Sequence, residues 1–298
     1  MNTKKTRVEW PTLWLIVACY LVWIIGIFAI PLVSIPLAIL ITATSIALHS
    51  SLQHEVIHGH PFASQRVNAA LILSPLTLLI PYARFRDSHL AHHRDSMLTD
   101  PYDDPESNYM DPAVWATLPG FVQLLLRVNN TLAGRMVVGP LIGQMCFMLA
   151  DWRAIRAGDR VVLRGWLWHI PATLVVVLVI TSSALSIWAY FCAAYLGLSL
   201  LKIRTFLEHQ AHEKSRARTV IIQDRGPLAF LFLNNNLHVV HHMHPRMPWY
   251  QLPDAFDRNP NRYLRINEHY SYATYAEIFR RHLFRAKDPV PHPLWPRG

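Results

Sequence analysis

Four short stretches of this sequence carry histidines at spacings that suit metal coordination. They are His54–His58 (HEVIH), His89–His93 (HLAHH), Glu208–His212 (EHQAH) and His238–His242 (HVVHH). On a helix, residues three and four positions apart share one face, so His238, His241 and His242 would lie together. Imidazole nitrogen binds iron, zinc, copper and nickel ions. One such stretch could be an accident of composition, but four of them, each beside an apolar segment, predict a shared metal centre.

The number of histidines indicates more than one metal ion. A single tetrahedral zinc takes three or four protein ligands, and the four stretches supply far more imidazoles than that. Two ions with five or six ligands each fit better. One alternative stays open, because His54-Glu55-x-x-His58 is also the signature of zinc proteases, in which the glutamate acts as general base. A membrane zinc metalloprotease would leave the other three stretches without a role.

Composition points to a membrane protein. Of 298 residues, 52% are hydrophobic and only 16% are charged, below the roughly 25% typical of soluble domains. The net charge is +9, but the basic residues lie among the histidine stretches and beside apolar segments. A membrane surface explains that pattern better than nucleic acid, which we do not expect as a partner. Cys19, Cys146 and Cys192 lie in apolar segments without a CxxC motif, so no disulfide framework or iron–sulfur site is expected.

Two long uncharged blocks predict four membrane spans. Residues 10–54 and 165–201 contain no Asp, Glu, Lys or Arg, and each block has room for two spans of about 20 residues. The predicted transmembrane helices are about 12–30, 32–52, 165–183 and 185–203. Pro31 and Pro36 suit the first turn. The predicted fold class is an all-α membrane protein, with four transmembrane helices in two hairpins, interfacial helices and a cytoplasmic histidine-rich cap.

Basic residues predict the orientation of the spans. Lys4, Lys5 and Arg7 precede the first span, and Lys202 and Arg204 follow the last. By the positive-inside bias, these ends face the cytoplasm. The start of the chain is interpreted as an uncleaved anchor, because no small-residue cleavage site follows its apolar run.

Two shorter apolar runs are predicted to be interfacial helices. They are 67–83 and 137–150, both short for a span. If the first crossed the membrane alone, the histidines on its two sides would face opposite compartments. The whole chain, 1–298, is predicted to be one integral-membrane domain, and its last residues, DPVPHPLWPRG, are expected to be loosely ordered.

The histidine stretches resemble a known family. HEVIH, HLAHH and HVVHH, with two spans before the first and a hairpin between the last two, resemble the histidine boxes of the membrane fatty-acid desaturase superfamily. RTFLEH followed by NNNLHVVHHMHPRMPWYQLP resembles the small bacterial desaturase-like enzymes, and its HHMHPRMPWYQLP portion also resembles bacterial β-carotene ketolases. The resemblance covers roughly residues 48–253 and is specific for the superfamily but weak on the substrate.

The resemblance implies two non-haem iron ions and O₂ as co-substrate. Carried over by position, the implied ligands are His54, His58, His89, His92, His93, His209, His238, His241 and His242. The pattern leaves open which of His209 and His212 is a ligand, and His60, His212 and His244 are extra to the family pattern. Four residues are candidates to orient ligating imidazoles: Asn235, Asn236, Asp100 and Asp104.

The function implied is an O₂-dependent di-iron oxidoreductase that introduces a double bond into a fatty acyl or other lipid chain taken from the bilayer. A hydroxylase or ketolase of a lipid or carotenoid on the same scaffold is the alternative. The chain contains no GxGxxG run and no iron–sulfur motif. We therefore expect electrons from an external donor of the ferredoxin, rubredoxin or cytochrome type. The expected location is a bacterial inner membrane, with the active site facing the cytoplasm.

Overall fold

The computed structural model describes residues 8–93 and 98–295. Lys4, Lys5 and Arg7, on which the predicted orientation partly depends, lie outside the described residues.

The described chain is mostly helical. Its helices are α1 (Trp10–Phe28), α2 (Ile35–Ile57), α3 (Gln65–Leu71), α4 (Tyr82–His92), α5 (Pro112–Thr117), α6 (Gly120–Asn129), α7 (Leu132–Val137), α8 (Gly139–Arg156), α9 (Arg160–Thr181), α10 (Ile187–Thr205), α11 (Pro227–Leu231), α12 (His238–Met243), α13 (Leu252–Arg258), α14 (Pro260–Ile266) and α15 (Tyr275–His282). Two short strands, β1 (Ile221–Ile222) and β2 (Ser271–Tyr272), pair in parallel with Ile221 opposite Ser271.

Four of the described helices are long and apolar enough to cross a membrane. These segments are Trp10–Leu32, Ile35–Ile57, Arg160–Thr181 and Ile187–Thr205. They confirm the four predicted spans, with ends shifted by a few residues. Their arrangement as two hairpins and the cytoplasmic cap stay predictions. Local capping fixes two of the helix starts: the Ser34 hydroxyl accepts from the Leu37 N–H before α2, and Asp159 accepts from the N–H groups of Val161 and Val162 before α9.

The described chain divides into two compact units. The first contains the described residues up to Arg86 together with Leu141–Leu200, and the second contains Asp87–Pro140 together with the described residues from Leu201 onward.

The core of the first unit is built by all four apolar helices. Ile27 of α1, Ile46 of α2, Ile180 of α9 and Tyr190 of α10 belong to one buried cluster. The Tyr190 hydroxyl donates to the Leu76 carbonyl at 2.8 Å, so the core also holds the segment between α3 and α4. Large apolar residues on the outer faces of these helices are exposed, as lipid-facing positions are.

The predicted interfacial helix at 67–83 is wrong as a single element. Only α3 and the start of α4 are helical there, and Leu78, between them, has φ 66°. Pro75 and Pro81 explain the break, because proline removes an N–H donor and biases the preceding residue away from helix. Ile72 and Leu76 are fully buried, so this segment packs into the core of the first unit.

The other predicted interfacial helix corresponds to α8, which is longer than expected. It starts at Gly139 and continues six residues beyond Ala150, to Arg156. Its exposed side chains include Leu141, Met145 and Trp152. Its placement at the membrane surface stays a prediction.

The second unit is organised around α12 and the two short strands. Val239 and Val240, between the histidines of α12, pack in a buried cluster with Ile221 of β1 and Phe256 of α13. The Val239 N–H donates to the Val220 carbonyl at 3.3 Å. The valines of HVVHH therefore anchor this six-residue helix, and its histidines take the remaining face.

The expectation of a loosely ordered tail is wrong for residues 288–295. The Met110 N–H donates to the Val290 carbonyl at 3.0 Å, and the His292 N–H donates to the Met110 carbonyl at 2.8 Å. Val290 and His292 are buried. Tertiary contacts thus order a segment whose composition alone suggests a flexible end, while residues 296–298 lie outside the described residues.

Replacing Gly197 of α10 by alanine is expected to destabilise the first unit. An added Cβ would lie 2.9 Å from the Ala43 carbonyl oxygen and 2.9 Å from Cγ2 of Ile46, both on α2. Overpacking of this kind costs about 1–3 kcal/mol. Thermal unfolding in detergent measures it. Gly120→Ala is the control, since no described atom lies within 4 Å of the Cβ it would add, and equal melting temperatures for the two variants would contradict the prediction.

Candidate metal centre

Seven of the nine predicted ligands lie in the second unit, where they form two groups. The first histidine group is His89, His93 and His241, and the second histidine group is His92, His209, His238 and His242. Within each group, one ring nitrogen from every residue lies within 4.8 Å of all the others. Two adjacent clusters of convergent imidazoles thus form where the sequence predicted a two-metal site.

The spacing of the nitrogens suits a bound ion. In the second group, Nε2 of His238 lies 3.2 Å from Nε2 of His209 and 3.2 Å from Nε2 of His242. In the first group, Nε2 of His241 lies 3.1 Å from Nε2 of His93. An ion about 2.0–2.1 Å from each nitrogen separates neighbouring nitrogens by about 2.9 Å in an octahedron and about 3.4 Å in a tetrahedron. The observed separations fall between these limits.

The two groups share their helices in a reciprocal way. At α4, His89 and His93 contribute to the first group and His92 to the second. At α12, His238 and His242 contribute to the second group and His241 to the first. The end of α4, together with His93 just after its last residue, therefore gives an i, i+4 pair to one group and the intervening histidine to the other, and α12 does the reverse. The histidines of α12, predicted to share one face of the helix, therefore divide between the two groups.

Acidic side chains hold the outer nitrogens of two imidazoles. Asp104 accepts from Nδ1 of His92 at 2.8 Å, and Glu106 accepts from Nδ1 of His89 at 3.0 Å. Asp104 is itself fixed by the N–H groups of Thr99 and Glu106. A proton on Nδ1 leaves Nε2 with a lone pair for a metal, the usual arrangement around bound ions. Nε2 of His92 is buried and has no hydrogen-bond partner among the described residues.

An amide orients a third imidazole. Oδ1 of Asn235 accepts from Nδ1 of His238 at 3.1 Å, and Nδ2 of Asn235 donates to Glu208 at 2.9 Å. Glu208 is in turn paired with Arg204 at 3.1 Å. Burial raises the pKa of Glu208, with Arg204 opposing it. The chain Arg204–Glu208–Asn235 thus fixes the tautomer of His238.

Electrostatics keep most of these imidazoles neutral. The pKa values of His209, His238 and His242 lie well below 6.5, because burial disfavours the charged ring and neighbouring histidines add to that effect. Burial likewise lowers the pKa of His93 to about 3. Burial also lowers the pKa of His92, but Glu106 and Asp104 outweigh it and raise the value to about 9. Neutral imidazole is the form that binds metal, so His92 would have to lose one ring proton to hold an ion.

The remaining two predicted ligands lie in the first unit. His54 is in the last turn of α2, and His58 is its C-terminal capping residue. Their ring centroids are 5.0 Å apart, so these two histidines also lie together. Their assignment as ligands rests on the sequence pattern.

The extra histidines lie elsewhere. His212 pairs with Glu268 at 3.3 Å, so of the two open candidates it is His209 that joins a group. His60 contacts Glu9 and Glu55, and His244 lies 3.4 Å from the hydroxyl of Tyr263.

Among the described residues, two of the four predicted orienting residues contact backbone groups and no imidazole. Asp100 accepts from the N–H groups of Tyr102 and Asp103 and so shapes its own loop. Asn236 donates to the carbonyls of Ile222 and Asp224 and so holds β1. Asp and Asn bind local backbone readily, and that competing role prevailed at these positions. Asp104 and Asn235 do contact ligating candidates, as predicted.

Sequence reasoning missed three residues around the site. Glu106 follows the predicted orienting residue Asp104 by two positions, and this closeness is the sequence signal that points to it. Glu208 reaches the site through Asn235. Lys287 donates to the carbonyl of His209, and nothing in the sequence marks it, because it lies 78 residues away.

The donor set fits transition-metal ions that accept imidazole, and the buried Nε2 of His92 is directed toward its group without a described partner.

The family model described as fatty acid desaturase matches residues 30–274, which is most of the chain. The chain belongs to the fatty acid desaturase family. Together with the four apolar helices, this makes it an integral membrane protein and indicates an oxidoreductase.

Two relatives with known names are β-carotene ketolases. That of Paracoccus sp. (strain PC1) is 24% identical over 255 residues, covering 80% of this chain and 86% of the relative. That of Paracoccus sp. (strain N81106 / MBIC 01143) is 25% identical over 257 residues, covering 81% and 87%. The match runs through nearly the full length of both ketolases.

Replacing Asp104 by asparagine is expected to weaken metal binding about 10–100-fold, because His92 loses the carboxylate that fixes its Nδ1 proton. The metal content retained after dialysis against a graded chelator measures the loss. Asp103→Asn is the matched control, since Asp103 is an exposed neighbour in the same loop. Equal metal retention in both variants, with unchanged thermal stability, would show that Asp104 does not orient a ligand.

Proposed function

We propose that this protein is an O₂-dependent membrane oxidoreductase in which each histidine group holds one iron ion. The observation that carries the proposal is the pair of convergent imidazole groups supplied reciprocally by α4 and α12. The sequence pattern adds His54 and His58 to the ligand set. Bound iron supplies the oxidising power needed to break an unactivated C–H bond with O₂, which no protein side chain provides.

The protein's own residues would prepare the site for that chemistry. Asp104, Glu106 and Asn235 fix which nitrogen of each contacted imidazole carries a proton. Burial of His89, His92 and His238 excludes water from the ring nitrogens, which strengthens every electrostatic interaction there. A rigid, dry ligand shell keeps a strong oxidant from attacking the protein itself.

Desaturation of a fatty acyl or other lipid chain is the first candidate reaction, supported by the family. Oxygenation of a lipid or carotenoid, to a hydroxyl or ketone, is the second and is favoured by the names of both Paracoccus relatives. Both reactions start with hydrogen removal from carbon. They differ in the next step, because desaturation removes a second hydrogen from the neighbouring carbon, whereas oxygenation adds an oxygen atom. The positions of the histidines do not distinguish these two outcomes.

Either reaction needs electrons beyond those that the substrate gives to O₂. We propose that a separate ferredoxin, rubredoxin or cytochrome-type donor supplies them. The excess of Lys and Arg over acidic residues supports an acidic donor, since opposite charge speeds encounter. The proposed location is a bacterial inner membrane with the site facing the cytoplasm, and Lys202 and Arg204 in the last turn of α10 support that orientation.

Lipids from a host that expresses the protein are expected to contain a product absent from a host with the empty vector. Mass spectrometry separates the candidates: desaturation lowers the mass by about two units, hydroxylation raises it by about sixteen, and ketone formation raises it by about fourteen. Growth under ¹⁸O₂ should label the product only if oxygen is inserted. Host lipids and supplied β-carotene that both stay unchanged, with an active donor system present, would count against every reaction proposed here.

Replacing His241 by alanine is expected to abolish turnover and lower bound iron, because the first group loses a ligand. The measurements are product yield in the host and iron per purified chain. His244→Ala, three positions further along, is the control and should keep both. Wild-type protein that purifies with a single zinc and no iron would instead favour the metalloprotease alternative built on Glu55.

A further inference from the structure

One helix of the second unit carries an apolar face outward. In α6, Phe121, Leu124, Leu125 and Val128 are 76%, 61%, 42% and 45% exposed. Their spacing of three, four and seven positions puts them in one stripe along the helix. Isolated exposed apolar residues are ordinary, but a continuous stripe indicates a surface made for a partner.

The opposite face of α6 packs against the protein. Val122 and Leu126 are half-buried. The side-chain amide of Gln123 donates to the carbonyl of Trp115 at 3.2 Å and to that of Leu118 at 3.1 Å. The helix thus has a defined inner face. The contacts of this face fix the rotation of α6 about its axis, so the apolar stripe faces outward.

The C-terminal end of α6 is also held firmly. Nδ2 of Asn130, its capping residue, donates to the carbonyl of Asp288. The guanidinium of Arg135 donates to the carbonyl of Asn129 at 2.9 Å, and the Ala133 N–H donates to the carbonyl of Leu283 at 2.9 Å. These contacts fix the direction in which the stripe faces.

The surrounding sequence indicates what covers the stripe. Residues 112–140 contain no Asp, Glu or Lys, and their charged residues are Arg127 and Arg135. Arg135 is buried, whereas Arg127 is exposed and lies 5.5 Å above the ring of Trp115. Tryptophan and arginine at the edge of an apolar stripe are typical of a membrane interface. An acidic electron donor would require more than one exposed cation here.

We propose that α6 lies in the plane of the bilayer surface, with its stripe among the upper acyl chains and Arg127 at the level of the lipid phosphates. An integral membrane protein always has a bilayer at hand, so this occupant needs no additional partner. Helices of this kind insert their apolar face about 5–10 Å into the boundary between headgroups and acyl chains. The proposal concerns a surface outside both histidine groups and does not depend on the reaction catalysed.

The test places a fluorescent probe on the stripe of the full-length protein. Leu124→Cys is made in a background with Cys146→Ser and Cys192→Ser, since these two cysteines are exposed while Cys19 is buried. The new thiol carries an environment-sensitive fluorophore, and the protein is reconstituted into vesicles. Lipids brominated near the top of the acyl chain should reduce the emission at least about twofold, because the probe lies at that depth.

Ala276→Cys in the same background is the matched control, since Ala276 is exposed on another helix of the same unit. It should respond to aqueous iodide and not to brominated lipid. Iodide quenching at position 124 without bromine quenching would overturn the proposal, because the stripe would then face water. Protection of position 124 from both quenchers would also overturn it, since a second copy or a protein partner would then be the occupant. Each labelled variant must keep the melting temperature of the background protein.

Discussion

The second unit must bring the ring nitrogens of seven imidazoles together, although four of these rings are buried and three are half-buried. Charged rings at this spacing would repel one another, and burial already opposes their protonation. Neutral rings whose lone pairs face each other are also unfavourable unless something electropositive lies between them. A cation held at each group, as proposed, would relieve both costs at once. Its binding energy would then contribute to the folding of the surroundings that hold these histidines, as in other metal sites.

That constraint explains why so short a helix as α12 is so firmly held. Leu233 and Asn234, shortly before the N-cap residue Leu237, have φ values of 51° and 55°. Asparagine adopts this left-handed conformation readily, whereas leucine does so only when surrounding structure imposes it. The Asn234 side chain donates to the carbonyl of Trp249 at 3.1 Å, and Val239 and Val240 are buried behind the histidines. The local backbone strain is offset by these contacts, and the result is a fixed rotation of the helix about its axis.

The parts of the structure that follow from local pattern could be predicted from the sequence, and the parts that depend on tertiary contacts could not. Four long apolar helices follow from hydropathy, and the helix of His238–His242 follows from histidine spacing. The sequence does not show that His241 joins one group and its neighbour His242 the other. Spacing shows which residues share a helix face, but it does not show which residues lie opposite that face. Asn236 and Asp100 contact nearby backbone for a similar reason, since short polar side chains bind local backbone as readily as a distant imidazole. The ordered segment 288–295 and the contact of Lys287 with His209 depend on pairings across most of the chain.

The reciprocal use of α4 and α12 has a mechanical consequence for the centre. Successive residues on a helix are about 100° apart, so a rotation of α12 by one residue would withdraw ligands from both groups together. The same holds for the end of α4. Two separate metal sites could drift independently, whereas two sites that share both helices keep a constant separation as long as the helices keep their rotation. The rotation of α12 about its axis is fixed by the contacts of Val239, Val240 and Asn234. These contacts therefore position the candidate ligands of both groups together. The proposed reaction, in which two iron ions would act on one O₂, would require both groups to be held in this common way, and the six residues of α12 contribute to both groups.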